Sequence, residues 1–487
     1  MRGVCLPGRQ LFAAIGNIRT RQDFHLIKRP AQFARVQHAL KIIFILKVPP
    51  EALLPRRPRP PAEYLHLAGH HRKKFRTVTQ SRIPSEKRMA RLKRDLANSH
   101  GTATEIFSVA VPRHPVLCGA FITDPIKLFR HLVAGDSAQF AIGGDTGAGQ
   151  TKLGITYSRG NEQKFFSLLI YIGDDHAYNM HALAAPGVTP FVGESAPYPH
   201  IFSILQFLLD THPKSFINGD WCFINVLRGI MGPAATHPCP ICVVGKKNLV
   251  GKAARPRLTG APFSLDPAYT HLLAVSPDRV VPTPLHVFLG ISNYILSVGL
   301  VTLFNKEIVA NVVRTVKTTH SPGHGGLADF FSLNGQELRK FLKRNCFTAV
   351  RTAADQSGLR ISREMDARLA RLERWMKELY ANLLHSREWT SDEISHWATV
   401  VDEIQQGCEE TIKKKPFPKL HMLTHTVEFA EKNNFLGKFS ESQIESHHAT
   451  YNETYEKHKN QSQHTQSRVR RSLADLTLTA VQPLLSK

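Results

Sequence analysis

The chain has 487 residues, 42% of them hydrophobic, which is enough for two or three domains and a sizeable core. Its formal net charge of +24 favours an anionic partner, with nucleic acid first among them. The seven scattered cysteines exclude a secreted disulfide framework and favour a reducing compartment. No apolar run approaches about 18 residues, so we predict no membrane span.

The positive charge is concentrated at the start of the chain. Residues 1–100 hold 22 Lys and Arg against five Asp and Glu, so they carry 17 of the 24 net charges. We predict that residues 1–69 form a basic, disordered arm, because the prolines of 53–61 lack the amide hydrogen that helices and sheets need. An Arg-rich stretch with almost no acid is also typical of a transit peptide, and that alternative stays open for 1–38.

Residues 70–104 form the predicted DNA-contacting segment. It contains two basic runs, and the second is predicted to be a helix that begins after the N-cap Ser85. Each Lys or Arg that neutralises a phosphate releases counterions, which favours binding to DNA. A solvated basic helix and a localisation signal are the alternatives. The predicted nucleic-acid-binding residues are Arg72, Lys73, Lys74, Arg76, Lys87, Arg88, Arg91, Lys93 and Arg94.

Residues 105–238 are predicted to form an α/β core. An Asp-bearing strand is followed by two more strands, a helix and a second Asp-bearing strand, and this order predicts a mixed sheet. Hydrophobic patterning places the strands at 138–144, 152–157, 165–172 and 215–219, and the helices at 200–209 and 223–229.

Two aspartates stand beside glycines at the ends of predicted strands. Asp145 lies in the glycine-rich stretch 143–152, and Asp220 follows a glycine. Glycines let a backbone approach a ligand closely, and an aspartate that leaves a central strand toward an open loop can hold Mg²⁺. An aspartate that caps a helix from a turn is the competing interpretation for both. The stretch is not a Walker A loop, because Gln150 stands where that motif requires Lys.

A Cys pair and a His pair flank a long helical block. Cys239 and Cys242 form a tight knuckle, and His421 and His425 lie one helical turn apart. Together they supply a Cys₂His₂ set, from which we predict a structural Zn²⁺ ion. A redox pair and an ordinary helix surface are the alternatives. Zinc would join the two ends of the predicted insertion 239–415, whose helices are placed at 285–303, 335–344, 362–383 and 391–406.

Residues 416–455 are predicted to complete the core. We place Glu441 and Glu445 one turn apart on the helix that follows the His pair, where exposed helix glutamates are the competing interpretation. If Asp145, Asp220 and Glu445 converge, they can hold two Mg²⁺ (or Mn²⁺) ions about 4 Å apart. One ion would activate water or a 3′-hydroxyl, and the other would stabilise the leaving oxygen. Residues 456–487 are predicted to be a polar tail.

In order and spacing, these residues resemble the catalytic core of the V(D)J recombinase catalytic subunit and the Transib-type DDE transposases. The resemblance is closer still to transposon-derived proteins of invertebrates that share this core. It covers roughly 140–455. Asp145 ends a strand, Asp220 stands nineteen residues before Cys239, and Glu445 follows His425 by twenty. Two further segments look similar to the family, namely Leu285-His286 and Asn334-Gly335.

The resemblance implies an RNase H-like fold with a helical zinc-pinned insertion, in which a metal pair drives phosphoryl transfer on DNA. Water would first cleave one strand, and the freed 3′-hydroxyl would attack the opposing strand or a target. It also implies DNA as the partner, a homodimer that joins two DNA ends, and a nuclear location. Two alternatives stay open. One is a catalytically inactive, domesticated DNA-binding protein on the same fold. The other is an actin-like or sugar-kinase-type ATPase, because the stretch from Asp145 to Lys152 resembles the first phosphate loop of those enzymes.

Overall fold

The computed structural model describes residues 95, 100 and 101–485, the last range with gaps at 134–138, 160–161, 233, 250–265, 267–268, 318–330, 413–416 and 460–463. The sheet and the site described below belong to the unit Thr104–Leu473, and a second unit comprises the residues before and after it. The predicted arm 1–69 and all nine predicted nucleic-acid-binding residues lie outside the described residues.

One six-stranded mixed sheet carries the fold, with the strand order β1-β2-β5-β4-β3-β6. All neighbouring strands are antiparallel except β3 and β6, which are parallel. Beyond β6, Val280 forms a single parallel bridge with Ile217. The strands are β1 (Thr104–Val109), β2 (Leu117–Ile122), β3 (Phe140–Gly147), β4 (Gln150–Arg159), β5 (Glu162–Ile172) and β6 (Ser215–Gly219).

The sequence predicted the α/β class and the order of β3, β4, β5 and β6 correctly, whereas β1 and β2 were not predicted. Strand β5 shows that the sheet lies inside the hydrophobic core. Its consecutive residues Leu168, Leu169, Ile170 and Tyr171 are all fully buried. Because neighbouring residues of a strand point to opposite faces, the sheet is covered on both sides at β5.

The helices fall into two groups. The first four lie between the strands in the sequence or directly after the last one. Helices α5 to α11 form the helical block that was predicted between the Cys pair and the His pair. The described helices are α1 (Pro125–Leu132), α2 (Ala177–Ala182), α3 (Ile201–Thr211), α4 (Trp221–Leu227), α5 (Pro284–Tyr294), α6 (Val301–Phe304), α7 (Lys306–Arg314), α8 (Gly335–Lys343), α9 (Cys346–Gln356), α10 (Arg363–Leu383), α11 (Ser391–Ile412), α12 (Pro418–Asn433), α13 (Ser442–Lys459) and α14 (Thr465–Leu485).

The prediction that no apolar segment is long enough to cross a bilayer is wrong for the stretch Pro284–Phe304. It spans 21 residues with a mean hydropathy of 1.9, and it is the one such helix found among the described residues. It contains α5, a π-helical stretch (Ile295–Leu300) and α6. Helix α5 packs against α10 and α12, and Val287, Phe288 and Ile291 are fully buried. Its apolar character is therefore that of a helix enclosed by other helices.

A cluster of four phenylalanines joins β6 to the chain between α12 and α13. The ring of Phe216 on β6 lies 5.4–5.5 Å, centre to centre, from the rings of Phe429, Phe435 and Phe439. On the same strand, Asn218 Nδ2 donates a hydrogen bond of 3.1 Å to the Phe439 carbonyl oxygen. The strand that leads to Asp220 is thereby fixed to the segment just before α13.

The cluster predicts that Phe216→Ala lowers the free energy of unfolding by about 3–5 kcal/mol, because a buried aromatic ring is lost and a cavity remains. Urea unfolding followed by tryptophan fluorescence measures the loss. The control is Ile106→Ala on β1, whose side chain is 46% exposed, and we expect it to change stability by less than about 0.5 kcal/mol. Equal effects of the two substitutions would contradict the role assigned to the cluster.

Candidate functional site

Two aspartates lie at the same edge of the sheet because their strands are parallel neighbours. Gly144 on β3 is paired with Gly219 on β6, so Asp145 and Asp220, which follow them, stand next to each other. Asp220 directly follows the end of β6, whereas Asp145 lies within β3, which continues to Gly147, so the prediction that Asp145 ends its strand is wrong. On its other side, Asp145 is paired with Lys152 of β4. The two predicted aspartates are therefore brought to one place by strand register alone.

Glu445 reaches this edge from far along the chain. It lies in the first turn of α13, and its carboxylate forms a group with Asp145 and His448. One potential ligand atom from each of the three lies within 4.8 Å of the other two. A shared metal site would have been ruled out if Glu445 lay more than about 8 Å from both aspartates. Its distance from Asp145 is well below that limit. The three side chains can hold one metal ion.

Asp220 is not part of this three-residue group. It is the N-cap of α4, and its Oδ1 accepts a hydrogen bond of 2.7 Å from the Phe223 amide. The helix-capping interpretation therefore describes Asp220 correctly. Its charge nevertheless acts on Asp145, because it contributes to the raised pKa of the Asp145 carboxyl. Asp220 is thus an electrostatic neighbour of the group, with one carboxylate oxygen outside the capping bond.

The carboxylates at this edge crowd negative charge into a partly buried position. Burial, followed by the charges of Asp220 and Glu445, raises the pKa of Asp145 to about 7. The pKa of Asp175 is also raised, by burial first and then by the charge of Asp220. Such an arrangement favours a bound cation, which would offset the repulsion between the ionised carboxylates.

The glycines around Asp145 were predicted to let the backbone approach a ligand. In the structure they instead make room for side chains of the protein. A Cβ atom at Gly143 would lie 1.8 Å from Asn218 Oδ1, and one at Gly144 would lie 2.5 Å from the Phe223 ring. Both contacts would be impossible for any larger residue. The neighbouring strand β6 and helix α4 can therefore approach β3 only at glycines.

The predicted open loop is a tight hairpin turn. Strands β3 and β4 are paired up to Gly147 and Gln150, which leaves Ala148 and Gly149 as the turn residues. Their φ angles are 55° and 71°, the positive values that two-residue hairpins of type I′ require. The hairpin fixes the position of Asp145, three residues before the turn.

Glu441 also differs from the prediction. It precedes α13 instead of lying on it, and it is only 1% exposed. Its Oε2 accepts a hydrogen bond of 3.0 Å from the Leu285 amide, and its Oε1 lies 3.3 Å from His286 Nδ1. Glu441 therefore ties the start of α5 to the start of α13, and the interpretation as an exposed helix glutamate is wrong for it. Glu445 is exposed.

Sequence reasoning missed two residues of this site, His448 and Lys152. His448 lies one helical turn after Glu445, and that spacing could have identified it. Lys152 is fully buried, with its Nζ 3.4 Å from the Gly147 carbonyl oxygen and 4.7 Å from the centre of the Tyr451 ring. Burial lowers the pKa of Lys152 to about 8, against the opposing influence of Asp145 and Glu445. Nothing in the local sequence indicates this burial.

The Cys pair and the His pair form a second group of candidate metal ligands. Cys239, Cys242, His421 and His425 are all buried, and one ligand atom from each lies within 4.8 Å of the others. The Cys239 Sγ to His425 Nε2 distance is 3.4 Å, and the distances from His421 Nε2 to Cys242 Sγ and to His425 Nε2 are both 3.2 Å. These four side chains can hold one metal ion.

Hydrogen bonds orient both halves of this group. The Ile241 and Cys242 amides donate to Cys239 Sγ at 3.4 Å each, which shapes the knuckle. The Pro238 carbonyl accepts from Trp221 Nε1 at 2.8 Å, which ties the knuckle to α4. His425 Nδ1 lies 2.8 Å from Glu428 Oε2, the type of outer partner that orients metal-binding imidazoles.

Comparison of the chain with models of protein families gives no match, and comparison with curated proteins gives none either.

The packing around Asp145 predicts that Gly143→Ala costs at least about 1–3 kcal/mol of unfolding free energy, because the added methyl collides with Asn218. Gly232→Ala is the matched control, since a Cβ there meets nothing within 4 Å. We expect that control to keep or slightly raise stability. Urea unfolding of the two variants measures the difference, and a stable Gly143→Ala protein would show that Asn218 does not require this glycine.

Proposed function

We propose that the chain is a transposon-derived, DDE-type DNA transposase or recombinase-like protein that cleaves and transfers DNA strands. The observation that carries the proposal is the meeting of Asp145 with Glu445, 300 residues later in the chain, beside Asp220, which directly follows the adjacent strand. These are the three residues that the resemblance to the V(D)J recombinase catalytic subunit and the Transib-type transposases singles out. DNA is the proposed partner, and a nuclear homodimer is the proposed state.

The sheet supports the RNase H-like part of this proposal. Strands β3, β4 and β5 form an antiparallel series, and β6 lies beside β3 in parallel orientation. Strand β6 ends where Gly219 pairs with Gly144 of β3, and one of the proposed carboxylates directly follows each of these two glycines. A helix from much later in the chain, α13, packs on β3 and β5 and brings Glu445 to the same edge.

The proposed reaction is phosphoryl transfer. The oxygen of water bonds to phosphorus, the bond from phosphorus to the 3′ oxygen breaks, and the 3′ oxygen leaves as a hydroxyl after taking a proton. Divalent ions, when bound, would activate the attacking oxygen and offset charge on the leaving one. The residues of this chain hold the carboxylates in place: the hairpin positions Asp145, the α4 cap positions Asp220, and the first turn of α13 presents Glu445.

We further propose that the Cys₂His₂ group holds a structural Zn²⁺ ion. In a tetrahedral site with Zn–S bonds of about 2.3 Å and Zn–N bonds of about 2.0–2.1 Å, two nitrogens lie about 3.3–3.4 Å apart, a sulfur and a nitrogen about 3.5–3.6 Å apart, and two sulfurs about 3.8 Å apart. Here the two nitrogens lie 3.2 Å apart, and two sulfur–nitrogen pairs lie 3.2 Å and 3.4 Å apart, so the four side chains are already as close together as an ion needs. Two thiols and two imidazoles, all buried, are the usual closed structural set for zinc. The ion would join the two ends of the helical block.

The zinc proposal predicts that Cys239→Ser releases zinc and lowers the stability of the helical block, because metal-binding energy is partly folding energy. Elemental analysis of the purified protein measures the metal, and thermal unfolding measures the stability. Cys118→Ser is the control, because Cys118 lies on β2 and belongs to neither candidate group. Wild-type protein without zinc, or equal zinc in the two variants, would overturn the proposal.

One observation favours the second candidate, an inactive DNA-binding protein on the same fold. The buried ammonium group of Lys152, paired across the hairpin with Asp145, already supplies a positive charge close to the carboxylates. In a protein that had lost catalysis, this charge could offset the repulsion between the carboxylates, so that the fold would not need divalent ions at that edge. The two candidates differ in cleavage and not in DNA binding.

Strand cleavage tests the proposed function. We expect the wild-type protein to nick duplex DNA with Mg²⁺ or Mn²⁺, and we expect Asp145→Asn, Asp220→Asn and Glu445→Gln each to reduce the rate by about 100-fold or more. Each substitution keeps the side-chain shape but removes a negative charge. The measurement is the nicking rate of plasmid DNA, together with DNA binding by fluorescence anisotropy.

The control for these variants is Glu453→Gln. Glu453 lies on the same helix as Glu445, but its carboxylate pairs with Lys457 at 2.8 Å on the surface. We expect this variant to cleave like wild type. Wild-type protein that binds DNA and cleaves none of it supports the inactive candidate, whereas cleavage that survives all three site substitutions would contradict the assigned site.

A further inference from the structure

The pair Glu445 and His448 has a spacing that suits a metal. Residues three apart on a helix lie on the same face, so both side chains of this pair can turn toward one point. A Glu-x-x-His pair on a helix supplies two metal ligands in helical dimetal carboxylate proteins. In this chain the pair is completed by Asp145 from β3, and the three ligand atoms lie within 4.8 Å of one another.

The side chain of His448 points toward this group, and its imidazole makes few other polar contacts. Its Nδ1 lies 4.0 Å from Asp145 Oδ2, and the residue is only 6% exposed. Its Nε2 is buried and makes no hydrogen bond within the described part of the chain. A buried ring nitrogen without a hydrogen bond is costly, and a metal bond at the imidazole would compensate for part of the cost of burying the ring.

The β3 strand makes room for this imidazole. A Cβ atom at Gly147 would lie 2.3 Å from His448 Nδ1, so the ring can reach Asp145 only because residue 147 has no side chain. The neighbouring residues of α13 are bound elsewhere, as His447 shows with its hydrogen bond of 2.8 Å to Ser167. The backbone and the helix face together direct His448, and not His447, to the carboxylates.

We propose that His448 is the third protein ligand of the metal position held by Asp145 and Glu445, and that this position therefore binds a divalent first-row transition ion in preference to Mg²⁺. The inference rests on the metal-binding role proposed above for the two carboxylates. Mg²⁺ takes oxygen ligands and gives up its water reluctantly, whereas imidazole nitrogen suits first-row transition ions. Because Asp220 lies outside the group, a second ion beside it would have different ligands from the first.

Mn²⁺ is the probe, because it is paramagnetic and binds both carboxylate and imidazole. The full chain, with its Cys₂His₂ group loaded with zinc, is titrated with Mn²⁺ and followed by electron paramagnetic resonance. Pulsed measurements on the bound ion are expected to show coupling to an imidazole ¹⁴N nucleus. Both the coupling and the bound Mn²⁺ signal should disappear in Asp145→Asn, which distinguishes this position from the His421 and His425 group.

The variant His448→Asn keeps much of the side-chain volume and removes the imidazole. We expect it to lose the ¹⁴N coupling and to bind Mn²⁺ at least about tenfold more weakly, while Mg²⁺ affinity, measured by competition, changes less than about threefold. His396→Ala, at an exposed position on α11, is the control and should match wild type. If His448→Asn does not fold, the ¹⁴N coupling in wild type and its loss in Asp145→Asn decide the question.

Absence of ¹⁴N coupling in wild type, or equal weakening of Mn²⁺ and Mg²⁺ by His448→Asn, overturns the inference. These outcomes are independent of strand cleavage. A protein that cleaves DNA with no nitrogen bound to Mn²⁺ retains the proposed function and loses the imidazole ligand. A protein that shows the coupling and cleaves no DNA retains this metal position and loses the proposed activity.

Discussion

The docking of α13 on the sheet is the constraint on which the candidate site depends. A hydrogen bond joins His447 of the helix to Ser167 on β5, with either group as donor, and His448 lies against Gly147 on β3. The segment before it is fixed by Asn218, which binds the carbonyl of Phe439. These contacts leave Glu445 opposite Asp145. If the helix moved by one turn, about 5.4 Å, that carboxylate would leave the group and the two aspartates would have no third partner.

The helical block makes this docking a long-range problem. Cys242 and His421 are 179 positions apart in the chain, and closing a loop of that length costs conformational entropy. Two independent features hold its ends together: the buried Cys and His side chains, and the phenylalanine cluster around Phe216. The cluster acts on β6, and the Cys pair is tied to α4 by the hydrogen bond from Trp221 to the Pro238 carbonyl, so the two features lie on either side of Asp220 in the chain. Fixing the ends of the block and positioning the carboxylates are therefore the same structural task.

Sequence reasoning worked where the signal was local or depended on residue type. Strand patterning located β3 and β6, and residue chemistry singled out the Cys pair, the His pair, Asp145 and Glu445, which lie in the two groups of candidate metal ligands. It failed where tertiary contacts decide. Whether a glycine faces a ligand or the side chain of Asn218 cannot be known before β3 and β6 are paired. Asn334-Gly335, which contributed to the resemblance, forms a capping box with Glu337, so the start of a helix alone accounts for that segment.

Lys152 shows what a metal at this edge must overcome. Its ammonium group is fully buried, and the pKa lowered to about 8 indicates that desolvation outweighs the attraction of Asp145 and Glu445. Its single charge offsets part of the negative charge of these carboxylates, and its Nζ lies 3.4 Å and 3.5 Å from the carbonyl oxygens of Gly147 and Gln150. Those carbonyls hold it beside the turn. A divalent ion between Asp145, Glu445 and His448 would occupy a different place, so the lysine and the metal can coexist, with the lysine limiting the net negative charge that the metal has to neutralise.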